Sequence, residues 1–347
     1  MNTHLASDLA PVQVSTNIGV ILTGGTVGTV RSPDGILRVD DGNERLPVLE
    51  NTSIHILQPL NTLSENMRPA DWVLIARAIT TLVDNHQVSG VVVLHGTDTM
   101  GYTSAALSFL LAGLNIPVVL TGSNISPSEP NSDAETNISD ALRAAKALPS
   151  GVFVSFSGIA HQSSIIHLGS RVRKGRAEAR AFTSIGTKQI GEVKDGQVIL
   201  GLEPPLTNPP KNAKCQVDDN VLLFTLYPGC HLDAIAKLVE SQNYAGVVLE
   251  LYPSATGPEL SDALSLEGFT QTCVDAGIVV VGVVREGLPP SCGPYESTRR
   301  FTNAGGLLLG NILPETALVK VMWALGQANS REGVLEILAT EVAGEFY

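Results

Sequence analysis

The sequence predicts an α/β fold with two doubly wound domains, each built on a parallel sheet, the N-terminal domain being the larger and the C-terminal one the smaller. Short β-branched runs alternate with helical patterns along most of the chain, which is typical of parallel sheets with right-handed crossovers. Bare aliphatic runs such as Val91–Leu94 indicate strands covered on both faces. A proline-dense stretch at Glu203–Lys211 interrupts the alternation, which then restarts.

Hydrophobic period and Gly or Pro punctuation predict the individual elements. The strands predicted in the first half are Asn17–Leu22, Ser53–Leu57, Val91–Leu94, Val118–Leu120 and Val152–Phe156, and the helices are Pro69–Asn85, Tyr102–Ala112 and Ala134–Ala147. The strands predicted in the second half are Val221–Thr225, Gly246–Glu250 and Gly277–Val283, and the helices are Leu232–Val239, Leu264–Asp275 and Glu315–Leu325. Short strands around Asp195–Gly196 predict a hairpin.

Chain length also favours two domains, because 347 residues exceed what one core usually organises. We expect a disordered tail over residues 1–16 and an N-terminal catalytic domain over 17–203. A linker is predicted over 204–218 and a C-terminal domain over 219–347.

Composition excludes several classes of partner. The chain is 44% hydrophobic, so it can bury a sizeable core, and its net charge of −12 argues against binding to nucleic acid or to an anionic membrane. The first 17 residues lack a basic segment followed by an apolar one, and the four cysteines are scattered without metal-site spacing. We therefore expect a cytoplasmic protein, although a mature exported enzyme would have the same features.

The first chemically suggestive segment is Thr23-Gly24-Gly25-Thr26-Val27-Gly28, directly after the first strand. Its glycines allow close backbone approach and would expose the Thr26 hydroxyl. A nucleotide-binding loop is excluded by the spacing, since neither the dinucleotide nor the P-loop pattern is met. Taken alone, the segment fits a tight turn as well as a catalytic loop.

The second segment, His95-Gly96-Thr97-Asp98-Thr99-Met100, directly follows Val91–Leu94. Polar groups at the end of a buried strand are costly unless they are hydrogen-bonded. One of Thr97, Asp98 and Thr99 is expected to cap the next helix. Capping needs only one such residue, so the surplus favours a functional site. We expect His95 to be a structural histidine.

The third segment is the basic cluster Gly169–Lys174. Its cations fit solvated surface charges, but a lysine beside a threonine hydroxyl can also act as a proton acceptor. Spacing alone does not select Lys174 over Arg171 or Arg173.

Together these three segments resemble the bacterial-type L-asparaginase family, and the chain is identified as a divergent member close to its cytosolic type I branch. The combination of TGGT with HGTDTM is specific to that family. Further similar segments are Ser64–Met67, Thr121-Gly122-Ser123, Asn131–Asp133 ahead of the helix through Asn137, and Ala304–Trp323. The resemblance is strong over residues 17–175 and looser beyond.

The resemblance implies a division of labour among these residues. Thr26 would attack a side-chain amide carbon and form an acyl-enzyme, and Thr97, Asp98 and Lys174 would form the catalytic relay. The substrate-binding residues that it implies are Gly25, Ser64, Glu65, Gly96, Thr97, Asp98 and Ser123. Asp98 and Glu65 would hold the substrate ammonium, and Ser64 with the backbone at Gly25 and at Gly96–Thr97 would hold its carboxylate. It implies a small amide substrate, no metal or organic cofactor, and a homodimer or homotetramer.

Two segments depart from the family pattern. The family's lid carries a tyrosine that contacts the nucleophile, whereas no tyrosine occurs here between Thr26 and Tyr102, and Ile36 occupies about that position. In the C-terminal half, Tyr252–Pro258 replaces a glycine-rich segment that reaches a neighbouring subunit's site in the family. Tyr295 is a candidate to approach the site.

Three hypotheses about function remain open from the sequence. The first is hydrolysis of L-asparagine to aspartate and ammonia. The second keeps the chemistry but changes the substrate, to another amide or to acyl or amide transfer in a biosynthetic pathway. The third is a non-catalytic amino-acid-binding protein.

Overall fold

The fold is seen in a computed structural model that describes residues 16–24, 29–31, 37–39, 52–157, 163–175, 181–260, 265–285 and 295–346. Sixteen strands lie in these ranges. They are β1 Thr16–Leu22, β2 Thr29–Arg31, β3 Leu37–Val39, β4 Thr52–Leu57, β5 Gly90–Leu94, β6 Pro117–Thr121, β7 Gly151–Phe156, β8 Ser164–Leu168, β9 Val172–Lys174, β10 Phe182–Ser184, β11 Gly191–Lys194, β12 Gln197–Leu200, β13 Val221–Thr225, β14 Gly246–Glu250, β15 Val279–Val283 and β16 Leu307–Leu308.

Eight α-helices lie in the same ranges, together with two short 3₁₀ turns at Ser64–Asn66 and Gly169–Arg171. They are α1 Pro69–His86, α2 Met100–Leu110, α3 Ala134–Ala147, α4 Leu232–Ser241, α5 Leu266–Asp275, α6 Glu296–Asn303, α7 Pro314–Gln327 and α8 Arg331–Ala339.

The N-terminal domain is built on an eight-stranded sheet in the order β12-β11-β8-β7-β6-β5-β1-β4. Strands β4, β1, β5, β6 and β7 are parallel, and β8, β11 and β12 continue the sheet antiparallel. After β1 the chain adds β4 on one side of it and then crosses to add β5 on the other side. The strand order therefore changes direction between β1 and β5, and a ligand crevice is expected beyond their carboxyl ends. The first parallel domain that the sequence predicts is confirmed, with an antiparallel extension.

Both faces of this sheet are covered, which explains why its central strands consist of continuous aliphatic runs. Helix α1 buries Trp72, Ile75, Ile79 and Leu82 at helical spacing. It begins at Pro69, and the Arg68 amide donates to the Asp71 carboxylate at 2.8 Å. Helix α3 covers the opposite face with apolar side chains that pack on β1, β5 and β6.

The hairpin between β11 and β12 turns at Asp195 and Gly196, whose φ angles are 50° and 75°. Positive φ at both central residues is what a two-residue turn of the right twist requires. The predicted hairpin is therefore present.

The C-terminal domain is built on a four-stranded parallel sheet in the order β13-β14-β15-β16. Alternate side chains of its strands serve two cores: Val248 and Val281 pack with α7, while Val247 and Val280 pack with the layer that contains α4 and α5. The predicted α/β class with two parallel-sheet domains is confirmed.

An apolar contact joins the two domains, and a buried ion pair on the same helix of the C-terminal domain fixes the end of the described chain. Helix α7 packs on α2, where the rings of Trp323 and Phe109 stack with centroids 5.5 Å apart. On α7, the fully buried Lys320 ammonium lies 2.7 Å from the equally buried Glu345 carboxylate. The ammonium also donates to the carbonyls of Leu338 and Thr340. These four groups fix the last residues of the described chain against the domain interface.

The predicted elements agree with the structure to within two residues at most ends, and eight described strands and helices went unpredicted. They are β2, β3, β8, β9, β10, β16, α6 and α8. Helix α6 has a mean hydropathy too low to stand out, and it buries only Phe301. Strands β9 and β10 have three residues each, which is too short to show a period.

The predicted domain boundaries stay predictions, and most of the predicted tail, residues 1–15, lies outside the described residues. The last strand of the first sheet ends at Leu200 and the second sheet begins at Val221. In the described part of the chain, no helix combines the length and the apolar character needed to cross a membrane. Cys215, Cys230 and Cys273 are free thiols, and Cys292 lies outside the described residues.

Glu345→Ala is expected to lower the free energy of unfolding by about 3–5 kcal/mol, because it leaves the Lys320 ammonium buried without its partner. Urea denaturation would measure this. The control is Glu341→Ala, which removes a half-exposed carboxylate 3.8 Å from Arg171 and should cost less than about 1 kcal/mol. Equal losses in the two variants would contradict the role assigned to the buried pair.

Candidate active site

The site lies beyond the carboxyl ends of β1 and β5, where the topology places the ligand crevice. The Thr23 amide and hydroxyl both donate to the Leu94 carbonyl, at 3.2 and 2.9 Å. Gly24 has a φ of 94°, and a Cβ there would lie 2.5 Å from the Thr62 carbonyl oxygen, so the turn needs glycine. The chain therefore leaves β1 beside the end of β5. Gly25 and Thr26, the proposed nucleophile, lie outside the described residues.

His95 is the structural histidine that the sequence predicts. It is fully buried, with Nδ1 2.7 Å from the Gly96 carbonyl oxygen and Nε2 2.9 Å from the Thr103 hydroxyl. Burial lowers its pKa to about 4, although the hydrogen bond to Gly96 opposes this. A neutral imidazole with both nitrogens engaged anchors the segment Gly96–Asp98 to α2.

Lys174 joins the two residues that follow this anchor. Its Nζ donates to the Thr97 hydroxyl at 2.7 Å and lies 2.5 Å from the Asp98 carboxylate. Thr97 is 7% exposed, while the side chains of Asp98 and Lys174 are 64% and 27% exposed. A nearly buried hydroxyl therefore meets a lysine and a carboxylate that both reach open space. This arrangement can move a proton at an oxygen and can bind a cationic group.

The three cations of the basic cluster separate in the structure. Arg171 lies against the C-terminal segment, donating from Nε to the Gly344 carbonyl, and Arg173 pairs with Glu315. Of the three, Lys174 is the one that contacts Thr97 and Asp98. Sequence spacing could not make this choice, because it depends on which way each side chain of β9 points.

The expectation that a side chain of this segment caps α2 is wrong. Thr99 occupies the N-cap position but makes no capping hydrogen bond. Its hydroxyl donates instead to the Ser64 carbonyl at 2.8 Å. Thr97 and Asp98 are both engaged by Lys174. All three polar side chains therefore serve tertiary contacts, which strengthens the case for a site.

Of the remaining candidates, Ser64 is brought to the site by the Thr99 contact, and Glu65 is exposed beside it. Ser123 follows β6, and the His95 amide donates to the carbonyl of Thr121 in the same strand. The Ser123 hydroxyl is fully buried and has no hydrogen-bond partner in the described structure. A buried hydroxyl without a partner is costly, so a ligand at this edge would offer it one.

The family model for the N-terminal asparaginase domain matches residues 17–206, and that for the glutaminase/asparaginase C-terminal domain matches residues 220–338. The chain belongs to the asparaginase family. Its members' activity makes it an amidohydrolase, an enzyme that acts on amides.

Individual members of the asparaginase family match over almost the full chain. The L-asparaginase of Thermococcus kodakarensis is 32% identical over 332 residues, which cover 94% of this chain and 98% of that one, and its solved structure matches with a TM-score of 0.83. A subunit of the glutamyl-tRNA(Gln) amidotransferase of Metallosphaera sedula is 34% identical, covering 95% of this chain and 76% of its own. The structure of L-asparaginase I from Vibrio cholerae is 26% identical, with a TM-score of 0.76 over 96% of this chain and 99% of its own.

Two departures from the asparaginase pattern have different outcomes. Ile36, the residue in place of the lid tyrosine, lies outside the described residues. The segment Tyr252–Pro258 is described: it turns at Ala255, whose φ is 58°, and Thr298 donates to the Ala255 carbonyl. The approach of Tyr295 to a site stays a prediction.

The sequence does not reveal that Thr99 contacts Ser64, nor that Arg173, next to Lys174, pairs with Glu315. The preference of threonine and aspartate for N-cap positions makes Thr97, Asp98 and Thr99 equally good cap candidates in sequence, which hides the tertiary contact of Thr99. The Arg173–Glu315 contact spans 142 residues, and no local pattern signals it. Within the described ranges, no cluster of His, Cys, Asp or Glu is arranged to hold a metal ion.

His95→Gln is expected to make stability less sensitive to acid. The pKa of His95 is about 4 in the folded chain against an ordinary 6.5. As the pH falls from 6.5 to 4, the unfolded chain therefore binds a proton that the folded chain does not, and the free energy of unfolding decreases. The wild type should lose up to about 3 kcal/mol from this group alone on going from pH 7 to pH 4, and the variant should not. Urea midpoints across that range measure the difference, with the exposed His231→Gln as control; parallel profiles for wild type and His95→Gln would contradict it.

Proposed function

We propose that this chain hydrolyses the side-chain amide of L-asparagine to give L-aspartate and ammonia, with Thr26 as the nucleophile. The supporting observation is the position of Lys174, whose Nζ contacts both Thr97 and Asp98 at the carboxyl end of β5. Thr23, three residues before Thr26 in the sequence, lies at the same edge, where its amide and hydroxyl donate to the Leu94 carbonyl. Membership of the asparaginase family agrees with this reaction.

In the proposed reaction, the Thr26 hydroxyl oxygen attacks the amide carbon and its proton passes to a neighbouring acceptor. A threonine hydroxyl is a weak nucleophile, so it needs such an acceptor or a strong local field. Lys174 and Thr97 move this proton to the amide nitrogen, which leaves as ammonia. Water positioned by Thr97 then attacks the resulting ester, and aspartate is released with Thr26 restored.

A free amino acid needs both charge types in its pocket, and the described residues supply them. The exposed carboxylates of Asp98 and Glu65 would hold the substrate ammonium. Ser64 and the backbone at Gly25, Gly96 and Thr97 would hold its carboxylate. Ser123 would give its unpartnered hydroxyl to the bound substrate. Backbone amides near Thr97 would stabilise the oxyanion that forms at the attacked carbonyl, and one such donor contributes about 3 kcal/mol in other acyl-transfer enzymes.

A second candidate changes the use of the ammonia. Seven of the matched relatives are subunits of a glutamyl-tRNA(Gln) amidotransferase, among them those of Metallosphaera sedula and Methanosphaera stadtmanae. A chain of this kind would release ammonia for transfer within a complex. Amide hydrolysis that depends on an added partner would favour this candidate over the stand-alone reaction.

We further propose a homodimer or homotetramer in the cytoplasm. This proposal rests on the family resemblance. Light scattering of the purified chain tests the assembly, and a monomer at micromolar concentration would contradict it.

Thr26→Ala and Lys174→Ala are each expected to lower the rate of ammonia release from L-asparagine by about 100-fold or more, since each removes a group that moves or receives the transferred atoms. A coupled ammonia assay measures the release, and Lys188→Ala, at an exposed lysine outside the site, is the control. Release from glutamine but not asparagine would move the proposal to that amide. Binding of asparagine without release in the wild type would support the non-catalytic alternative instead.

Ile36→Tyr is expected to raise the rate on asparagine if residue 36 occupies the position of the family's lid tyrosine, because a phenol can exchange a proton with the nucleophile and an isoleucine cannot. Initial rates at saturating asparagine measure this, with Ile36→Phe as the control that adds a ring without the hydroxyl. An unchanged rate in Ile36→Tyr would show that the lid is built differently here.

A further inference from the structure

We propose that the ion pair between Arg173 and Glu315 positions Lys174 for reaction, so that the C-terminal domain sets the geometry of the relay in the N-terminal domain. This inference rests on the proposed function, in which Lys174 moves the proton. Arg173 and Glu315 act through Lys174, and both are positioning residues.

The pair has the geometry that fixes an arginine most firmly. Arg173 Nε and Nη2 donate to Glu315 Oε1 and Oε2, both at 2.9 Å. Nη2 also donates to the Arg285 carbonyl at 3.3 Å. A two-pronged contact holds the guanidinium plane in direction as well as in distance, which a single contact does not. Arg173 is therefore held by two different elements of the C-terminal domain.

Lys174 needs such support because its strand is short and lies outside the main sheet. Strand β9 has three residues and pairs with the equally short β10, outside the eight-stranded sheet. Successive side chains of a strand point to opposite sides, so Arg173 faces Glu315 while Lys174 faces Thr97. Because the two residues are adjacent on one short strand, a displacement of Arg173 on one face of β9 would also displace Lys174 on the opposite face.

The residues before the pair are held by the same domain. The Thr316 hydroxyl donates to the Ser170 carbonyl at 2.9 Å, and the Ser170 hydroxyl donates to the Ala343 carbonyl at 2.8 Å. Arg171 donates to Gly344. These contacts fix the start of β9, and among these contacts with the C-terminal domain the Arg173–Glu315 pair is the nearest in sequence to Lys174.

The element that carries Glu315 is a helix packed between the two domains. Glu315 lies in the first turn of α7, directly after Pro314, and α7 packs along α2, the helix that follows the Thr97–Asp98 segment. Glu315, which holds the neighbour of Lys174, lies on α7, and the Thr97–Asp98 segment that Lys174 contacts leads into α2. Both sides of the Lys174 contact are therefore attached to this pair of packed helices. The ion pair itself is about a quarter exposed, so its contribution to folding stability should be small and separable from its effect on the reaction.

The kinetic test uses Glu315→Gln and Arg173→Lys in the full chain. Both are expected to lower kcat for ammonia release about 10-fold with KM within about 2-fold, because misplacing a group that acts on the reacting atoms slows the chemical step without weakening ground-state binding. Arg173→Lys keeps the charge but loses the two-pronged contact, so full activity in this variant would overturn the proposal. The matched control is Arg143→Lys, which alters a partly buried arginine–carboxylate pair on α3 that lies outside β9.

A second measurement does not depend on turnover. Trace acetylation with acetic anhydride, followed by peptide mass spectrometry, gives the reactivity of each lysine amine. Lys174 should react about 3-fold or more faster in Glu315→Gln than in the wild type, relative to the exposed Lys237, because an amine freed from its partners is more accessible to the reagent. Unchanged relative labelling of Lys174 would overturn the proposal.

The two measurements separate this proposal from the proposed function. Increased labelling of Lys174 in an enzyme that releases no ammonia would leave the positioning role supported and the proposed reaction refuted. A loss of activity in Glu315→Gln with raised KM, unchanged kcat and unchanged labelling would place Glu315 in substrate binding and overturn the positioning role.

Discussion

The buried pair of Lys320 and Glu345 ties the end of the described chain to the middle of α7, and α7 is packed along α2. A charge removed from water must be paired and hydrogen-bonded, so this contact admits little displacement. Glu345 also accepts the amides of Val342 and Ala343, which shapes the segment whose carbonyls receive Ser170 and Arg171. The path of the chain into β9 follows from that arrangement. The position of β9, which carries Lys174, therefore depends on contacts with the C-terminal domain.

Two lysine–carboxylate pairs in this chain differ in burial, in line with a structural role for one and the chemical role proposed for the other. Lys320 and Glu345 are both wholly buried, and burial lowers the pKa of Lys320 although Glu345 opposes this. Lys174 and Asp98 lie at a similar distance but are partly exposed, and a third group, the Thr97 hydroxyl, shares the ammonium. The first pair has every position filled by carbonyls and a carboxylate. The second is partly exposed, as the role proposed for Lys174 and Asp98 requires.

Much of the fold was predictable because the two parallel sheets leave strong local signals. The central strand Val91–Leu94 is aliphatic throughout since both its faces are covered, and the helix from Pro69 shows a clear apolar stripe. The short strands β9 and β10 were missed because three residues carry no period. Helix α6 was missed because it buries so little. The expected cap of α2 was wrong because a threonine at an N-cap position and a threonine bound to a distant carbonyl look alike in sequence.

The sequence by itself determined the α/β class, the family and the set of residues from which the relay is proposed, because continuous aliphatic strands and the paired TGGT and HGTDTM segments are local patterns. It also identified His95 as structural, which its burial and two hydrogen bonds confirm. Only the tertiary structure decided which cation of Gly169–Lys174 meets Thr97, and that Arg173 is held by Glu315. Those contacts join residues 77 and 142 positions apart. These contacts depend on side-chain direction along a short strand and on the packing of α7 against α2, and no local sequence pattern predicts either of them.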